Sequence, residues 1–327
     1  MGEHDISFDA MGSHVRLLIG EPGPGMEPAA VAAERARRFV VEFDAKLSRF
    51  KPDSELCALN ADRRERVPAS QLMRAAVRAG LAAAERTGGL VDPTLAEEIE
   101  SAGYVASRAG VPGAPLAEAL AGAPPRRPAG PNPATRWRDF AVEEEAGMVR
   151  RPPGVRFDTG GTGKGLAADL IAEQLRGYSR YLVDCGGDIR LGGPDALVNP
   201  YEVFVEHPLT GERAFVLRLG AGAVATSGLN VRIWRDEEGR FAHHLLDPAS
   251  GEPAWTGLIG ATALGDTAVE AETLSKAALL SGPEGGREAL AECGGFLVHD
   301  NGRVEAVGPL SVGRPRIRLP EPAGAAS

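Results

Sequence analysis

The sequence predicts a mixed fold of α+β or α/β layers, on three observations. Apolar residues recur at helical spacing through the N-terminal third. Beyond residue 150, β-prone runs alternate with helical ones. The chain then closes on a hairpin pattern, two short runs turned by Asp300-Asn301-Gly302. Its 327 residues are ample for a buried core and read as a single domain over residues 1–327.

From Pro28 to Arg49, Ala, Val, Phe and Leu fall at helical spacing with Glu34, Arg35, Arg37 and Arg38 between them, predicting a long amphipathic helix. Ala69 to Arg86 predicts a second, stopped by Gly88-Gly89. Asp92-Pro93-Thr94 reads as the start of a third running to about Ala102, with Asp92 either its cap or a ligand contact. Residues 111–135 are rich in Pro, Ala, Gly and Arg, and predict a solvated loop. Strands are expected at Val155–Phe157, Arg180–Asp184, Tyr201–Glu206, Ala214–Leu219 and Val231–Trp234. Helices are expected at Leu166–Leu175, Ala268–Leu280 and Gly285–Glu292, before a closing hairpin of Phe296–His299 and Arg303–Ala306.

A net charge of −9 without any basic tract argues against nucleic acid as the main partner. No apolar run approaches the roughly 20 residues of a membrane helix. Acids at Glu3, Asp5 and Asp9 replace the apolar core of a signal peptide, so a cytoplasmic location is expected. Cys57, Cys185 and Cys293 lack zinc-ligand spacing and read as free thiols.

The chemistry concentrates at Phe157-Asp158-Thr159-Gly160-Gly161-Thr162-Gly163-Lys164-Gly165. Glycine-bared N–H groups, a helix start and an ammonium make a cradle for phosphate or pyrophosphate. The alternative is a tight strand-to-helix turn with an exposed lysine. It is not a Walker A loop: Asp158 stands where the first glycine is required, and Gly165 where Ser or Thr is required. Nor does the alternation of Gly161, Gly163 and Gly165 give the dinucleotide fingerprint.

Further segments recur in order: Met11-Gly12-Ser13, Leu47-Ser48-Arg49-Phe50 with Ser54-Glu55-Leu56 and Leu59-Asn60, and Asp92-Pro93-Thr94. After the glycine turn come Gly186-Gly187-Asp188-Ile189, Ala225-Thr226-Ser227-Gly228, and His244-Leu245-Leu246-Asp247-Pro248 with Gly251. From about residue 8 to residue 305 this series resembles the ApbE family, the FAD:protein FMN transferases. The resemblance implies an α+β fold of two intimately packed lobes with the flavin site between them. It implies FAD as substrate, with FMN passed to a Thr or Ser hydroxyl of a target flavoprotein, AMP as leaving group, and Mg2+ as the bridging ion. On that pattern Asp158 and Lys164 contact FAD, and Met11, Phe50, Asp92, Pro93, Thr94 and Leu246 line its site. The resemblance also implies the backbone oxygen of Gly161 as a metal ligand. Asp188, Thr226 and Ser227 belong to the same cleft, and Arg232 is a candidate anion partner.

His244 suits proton acceptance from the attacking hydroxyl, with Asp247 orienting it or shaping the turn before Pro248. One segment departs from the family. Relatives carry Asp-Ala-Leu-x-Thr on a late helix, with the Asp and Thr binding the ion; this chain has Glu272-Thr273-Leu274-Ser275-Lys276. Three readings follow: Glu272 holds the ion with Asp266 or Glu270, Lys276 replaces the ion, or the protein binds flavin without transferring it. Hydrolysis of FAD to FMN and AMP is a further rival.

Overall fold

The structure, a computed structural model, describes residues 3–236, 238–308 and 316–318. At its centre is an eight-stranded sheet whose neighbours all run antiparallel. The order is His4–Ala10, Ser13–Ile19, Tyr181–Cys185, Asp188–Gly192, Gly222–Gly228, Leu258–Gly265, Gly295–His299 and Val304–Val307. The mixed class expected from the sequence is thus observed.

Strand alternation decides what each face carries. Val183, Cys185, Ala223 and Ala225 pack with the helices Ala29–Leu47, Gln71–Arg86 and Gly163–Gln174. Leu182, Ile189 and Val224 point the other way, against a smaller sheet built on Tyr201–Glu206 and Arg213–Leu219. A further core gathers on the helices Ala268–Leu280 and Gly282–Leu290. Ala32, Ala33, Ala36, Val40, Phe43 and Leu47 form the buried stripe of the first helix, at the spacing its sequence predicts.

Two motifs owe their place to this scaffold. Ser54 caps the helix Glu55–Ala61 by accepting from the Cys57 N–H, and Glu55 accepts from the N–H and hydroxyl of Ser70 at 2.6 Å. Ser70 in turn caps the next helix through the Met73 N–H. Asn60 bonds both backbone groups of Phe157, each at 2.8 Å. Phe157 is fully buried, so these bonds fix the entrance to the glycine turn.

That clamp corrects the strand expected at Val155–Phe157: the segment is not a strand, because a side-chain amide takes the place of a ladder partner. The next helix starts at Gly163 rather than Leu166, which puts Lys164 in its first turn. The third helix begins only at Ala96; Asp92 bonds the N–H and hydroxyl of Thr94 and caps its own turn instead. Residues 111–135 contain a short helix, Leu116–Ala121, with Leu116 and Ala119 buried. The loop is also pinned, by Arg127 N–H to Trp255, Ala129 N–H to Leu280 and Ala249 N–H to Gly130.

Candidate active site

The first two strands meet at Met11-Gly12, both with positive φ (53° and 65°), as a primed two-residue hairpin requires. A methionine in that region is strained, by about 1 kcal/mol, and this turn borders a cavity of about 400 Å3, within the range of small-molecule sites. Met11, Phe50, Asp92, Pro93, Asp158, Gly161, Lys164, His244, Leu246 and Lys276 all line it. Arg232 lines it too.

The glycine turn is held against the Asp92-Pro93-Thr94 turn by Asp158 N–H to Pro93 (2.8 Å), and against the first helix by Thr159 hydroxyl to Leu47 (3.0 Å). Asp158 pairs with Arg49 at 3.0 Å. Arg49 in turn donates to the Tyr104 carbonyl and lies 4.2 Å from the Phe50 ring centroid and 4.7 Å from that of Tyr104. Phe50 meets Tyr104 edge-on and Tyr104 stacks on Trp234, with centroid spacings of 5.3 and 5.5 Å. Sequence reasoning found Phe50 but missed Arg49 and Tyr104. The Tyr104 carbonyl reaches Arg49 across 55 residues, and no local pattern announces that contact.

Two ammoniums enter the cavity from neighbouring helices. Lys164 pairs with Asp188 at 2.5 Å, and Lys276 with Glu272 at 2.8 Å. Both carboxylates lie behind their lysines; the Asp188 side chain is 2% exposed and that of Glu272 0%. Burial opposes the charge on Lys164, yet Asp188 and Glu272 outweigh it and raise its pKa above the ordinary lysine value. Glu272 is pushed upward by burial and then by Asp188, while Lys276 and Lys164 pull against the rise. Asp188 closes a turn of two positive-φ glycines; a Cβ on Gly186 would meet Ser13 at 2.5 Å.

His244 lines the cavity with Nδ1 3.4 Å from the Arg232 carbonyl. A carbonyl only accepts, so Nδ1 carries the proton and Nε2 the lone pair. Burial lowers its pKa well below the ordinary histidine value, and the charges of Arg232, His243 and Lys276 add to this. It is therefore a neutral acceptor at physiological pH, and a weak base. Asp92 keeps Oδ2 buried without a hydrogen-bond partner, and burial raises its pKa against the pull of Thr94 and Arg136.

Other expected residues sit behind the wall or away from it. Thr94 is buried under Asp92, and Thr226 and Ser227 are bonded to Thr262 and Ser275 within the scaffold. Asp247 is occupied by Gly130 N–H, Ala249 N–H and the Ser250 hydroxyl. It shapes its turn and does not orient His244. Asp266 is exposed, and its N–H bonds Glu270, which pairs with Arg86; neither acid lines the cavity. Asp266 precedes the Ala268 helix and stands outside the cavity that Lys276 lines, so the expected pairing of Asp266 with Glu272 at the site is not seen.

The donor set does not fit a divalent ion held by side chains. One oxygen of Glu272 accepts from the Gly165 N–H at 2.9 Å and the other from Lys276. Among the described residues, no group of three or more His, Cys, Asp or Glu converges as a metal site. The cysteines are free, and burial pushes the Cys185 thiol far above its usual range, so it is inert.

Known proteins share this architecture. The chain is 28% identical to the FAD:protein FMN transferase of Klebsiella pneumoniae, across 83% of this chain and 77% of that one. It is 28% identical to the Haemophilus influenzae FAD:protein FMN transferase, across 91% and 88%. Among solved structures, the Thermotoga maritima ApbE protein superposes with a TM-score of 0.74 at 24% identity, covering 93% of this chain and 97% of that one. The Pseudomonas stutzeri flavinyl transferase ApbE gives 0.71 at 23%, covering 94% and 96%. The sequence profile of the ApbE family matches residues 11–297, nearly the whole described chain, and this protein belongs to the ApbE family.

Proposed function

We infer that the protein is an FAD:protein FMN transferase. The observation that carries this reading is the family match over residues 11–297, joined to a cavity lined by the glycine turn, Lys164, Phe50 and Tyr104. In the reaction an acceptor Thr or Ser oxygen attacks the FMN-side phosphorus of FAD. A new O–P bond forms, the bond to the bridging oxygen breaks, and AMP leaves with that oxygen and its electron pair. The hydroxyl proton passes to a base.

Each neighbouring residue has a task consistent with its place. Lys164 and the start of the Gly163 helix hold the pyrophosphate. Phe50 and Tyr104 take a ring of the ligand, while Met11, Pro93 and Leu246 supply apolar walls. Asp158, fixed by Arg49, and the free oxygen of Asp92 meet its polar groups. His244 Nε2 receives the hydroxyl proton. Asp188 and Glu272 position the two lysines, and Thr94, Thr226, Ser227 and Asp247 hold the wall from behind. Mg2+ would supply charge neutralisation if bound near Gly161, but Glu272 and Asp266 do not form its site, and no step is assigned to it.

The test mixes the protein with FAD and a Thr-bearing acceptor peptide and reads intact mass. A gain of one FMN with release of AMP is the expected result. AMP without labelling would make the protein an FAD pyrophosphatase. Retained FAD with neither product would make it a flavin-binding protein, provided a working family transferase labels the same peptide.

A further inference from the structure

We propose that Lys276, together with Lys164, takes the place of the divalent ion at the pyrophosphate, so that flavin binding and transfer proceed without a metal. This rests on the transferase reading above and goes beyond it.

The argument is one of donors and charge. A hard cation needs oxygen lone pairs directed at it. At the late helix the carboxylate of Glu272 has both oxygens engaged, by the Gly165 N–H and by Lys276. An ammonium offers three N–H donors and no lone pair, so Lys276 repels an ion at contact distance and attracts a phosphate oxygen. Lys164 faces the same cavity from the Gly163 helix. Their side chains keep only 12% and 23% of their exposure, and each is anchored from behind by an almost fully buried carboxylate. The anchors fix where the ammoniums sit, leaving other N–H groups free to turn to the ligand. Arg232 adds a guanidinium to the same lining. A fixed positive charge of this kind stabilises the charge gathering on the departing AMP oxygen without reorganising at the moment of reaction. A point-charge ammonium is suited to this role.

The experiment measures FAD affinity and acceptor labelling in EDTA and in Mg2+. Wild-type protein should bind FAD equally in both and label within about twofold of the same rate, since uniform loss of a non-participating ion leaves kcat/KM unchanged. Lys276→Met should cost about 10²-fold in labelling, the usual loss when one transition-state donor is removed, and should weaken FAD binding in EDTA. Because that change strands Glu272, the neutral pair Glu272→Gln with Lys276→Met keeps the test valid where the single variant fails to fold. Glu272→Asp with Lys276→Thr, which restores oxygen donors, should become EDTA-sensitive. Labelling or FAD binding that disappears in EDTA and returns with Mg2+ in the wild type overturns the proposal, as does a Lys276→Met protein with full FAD affinity and rate. Should no labelling occur under any condition, the transferase reading falls, and FAD affinity in EDTA against Mg2+ still decides the role of Lys276.

Discussion

The two walls of the cavity are built in opposite ways. The charged wall is locked pair by pair: the turn from Asp158 to Lys164 runs into one helix, Lys276 comes from another, and each lysine is tied to a buried carboxylate. The aromatic wall is assembled from distant segments: Phe50 and Tyr104 meet edge to face with Arg49 laid across both, and Trp234 stacks on Tyr104 outside the lining. Ion pairs in a low-dielectric floor tolerate no vacancy, because removal of one partner leaves the other buried and uncompensated. Ring stacks spread a smaller energy over several contacts and give way gradually. The charged wall should therefore govern the chemistry and the aromatic wall the affinity.

Lys164→Met puts that division to its hardest trial. Transfer should fall by about 10²–10³-fold, as for loss of a charge-stabilising donor. Stability should drop by roughly 3–5 kcal/mol because Asp188 is left unpaired. Adding Asp188→Asn should recover the stability, read by denaturant unfolding, and leave the rate low. Recovery of both would mean that Lys164 is only a structural partner.

His244 lines the cavity and His243 is fully buried against Trp255, and the burial of the two makes the frame acid-sensitive. Burial lowers His243 to about 3 and His244 well below its ordinary value. The unfolded chain takes up these protons below about pH 6.5 while the native state resists them, so the histidines' contribution to stability is level above that pH and falls beneath it. The slope is about 1.4 kcal/mol per pH unit for each histidine. His243→Gln should remove one histidine's share of that slope in unfolding curves taken between pH 7 and pH 5; an unchanged slope would place the acid sensitivity elsewhere.

The smallest effect belongs to the rings. Tyr104→Ala should weaken FAD binding by about 1 kcal/mol, roughly fivefold, with kcat nearly unchanged. A fall in kcat with intact affinity would show that the aromatic wall positions the reacting phosphate, and the contrast between the walls would fail.

This contrast also explains which features could be read from the chain. Lys164 and Asp188 were legible because glycines and charges stand side by side there, and the Ala268–Leu280 helix because the helix formers Ala, Leu, Glu and Lys fill most of it. The strands Gly222–Gly228 and Leu258–Gly265 were missed. They are small-residue strands buried on both faces, so they show no apolar and polar alternation. The false strand at Phe157 arose because its hydrogen bonds come from Asn60, 97 residues away. Asp266 was chosen on charge alone, whereas the course of the helix carries Lys276 inward and leaves Asp266 outside. Arg49 had a visible position within its motif, but its role depends on Tyr104.

The helices beginning at Gly163 and at Ala268 cap each other. Asp169, on the first, accepts from the Ala268 and Val269 N–H groups, and Glu272, on the second, accepts from the Gly165 N–H. A Cβ at Gly165 would lie 2.7 Å from the Ala268 backbone, so the two starts touch where the glycine permits it. For protein engineering, the two segments are one cassette. A lysine-bearing late helix grafted into another scaffold will seat correctly only if Gly165 and Asp169 travel with it.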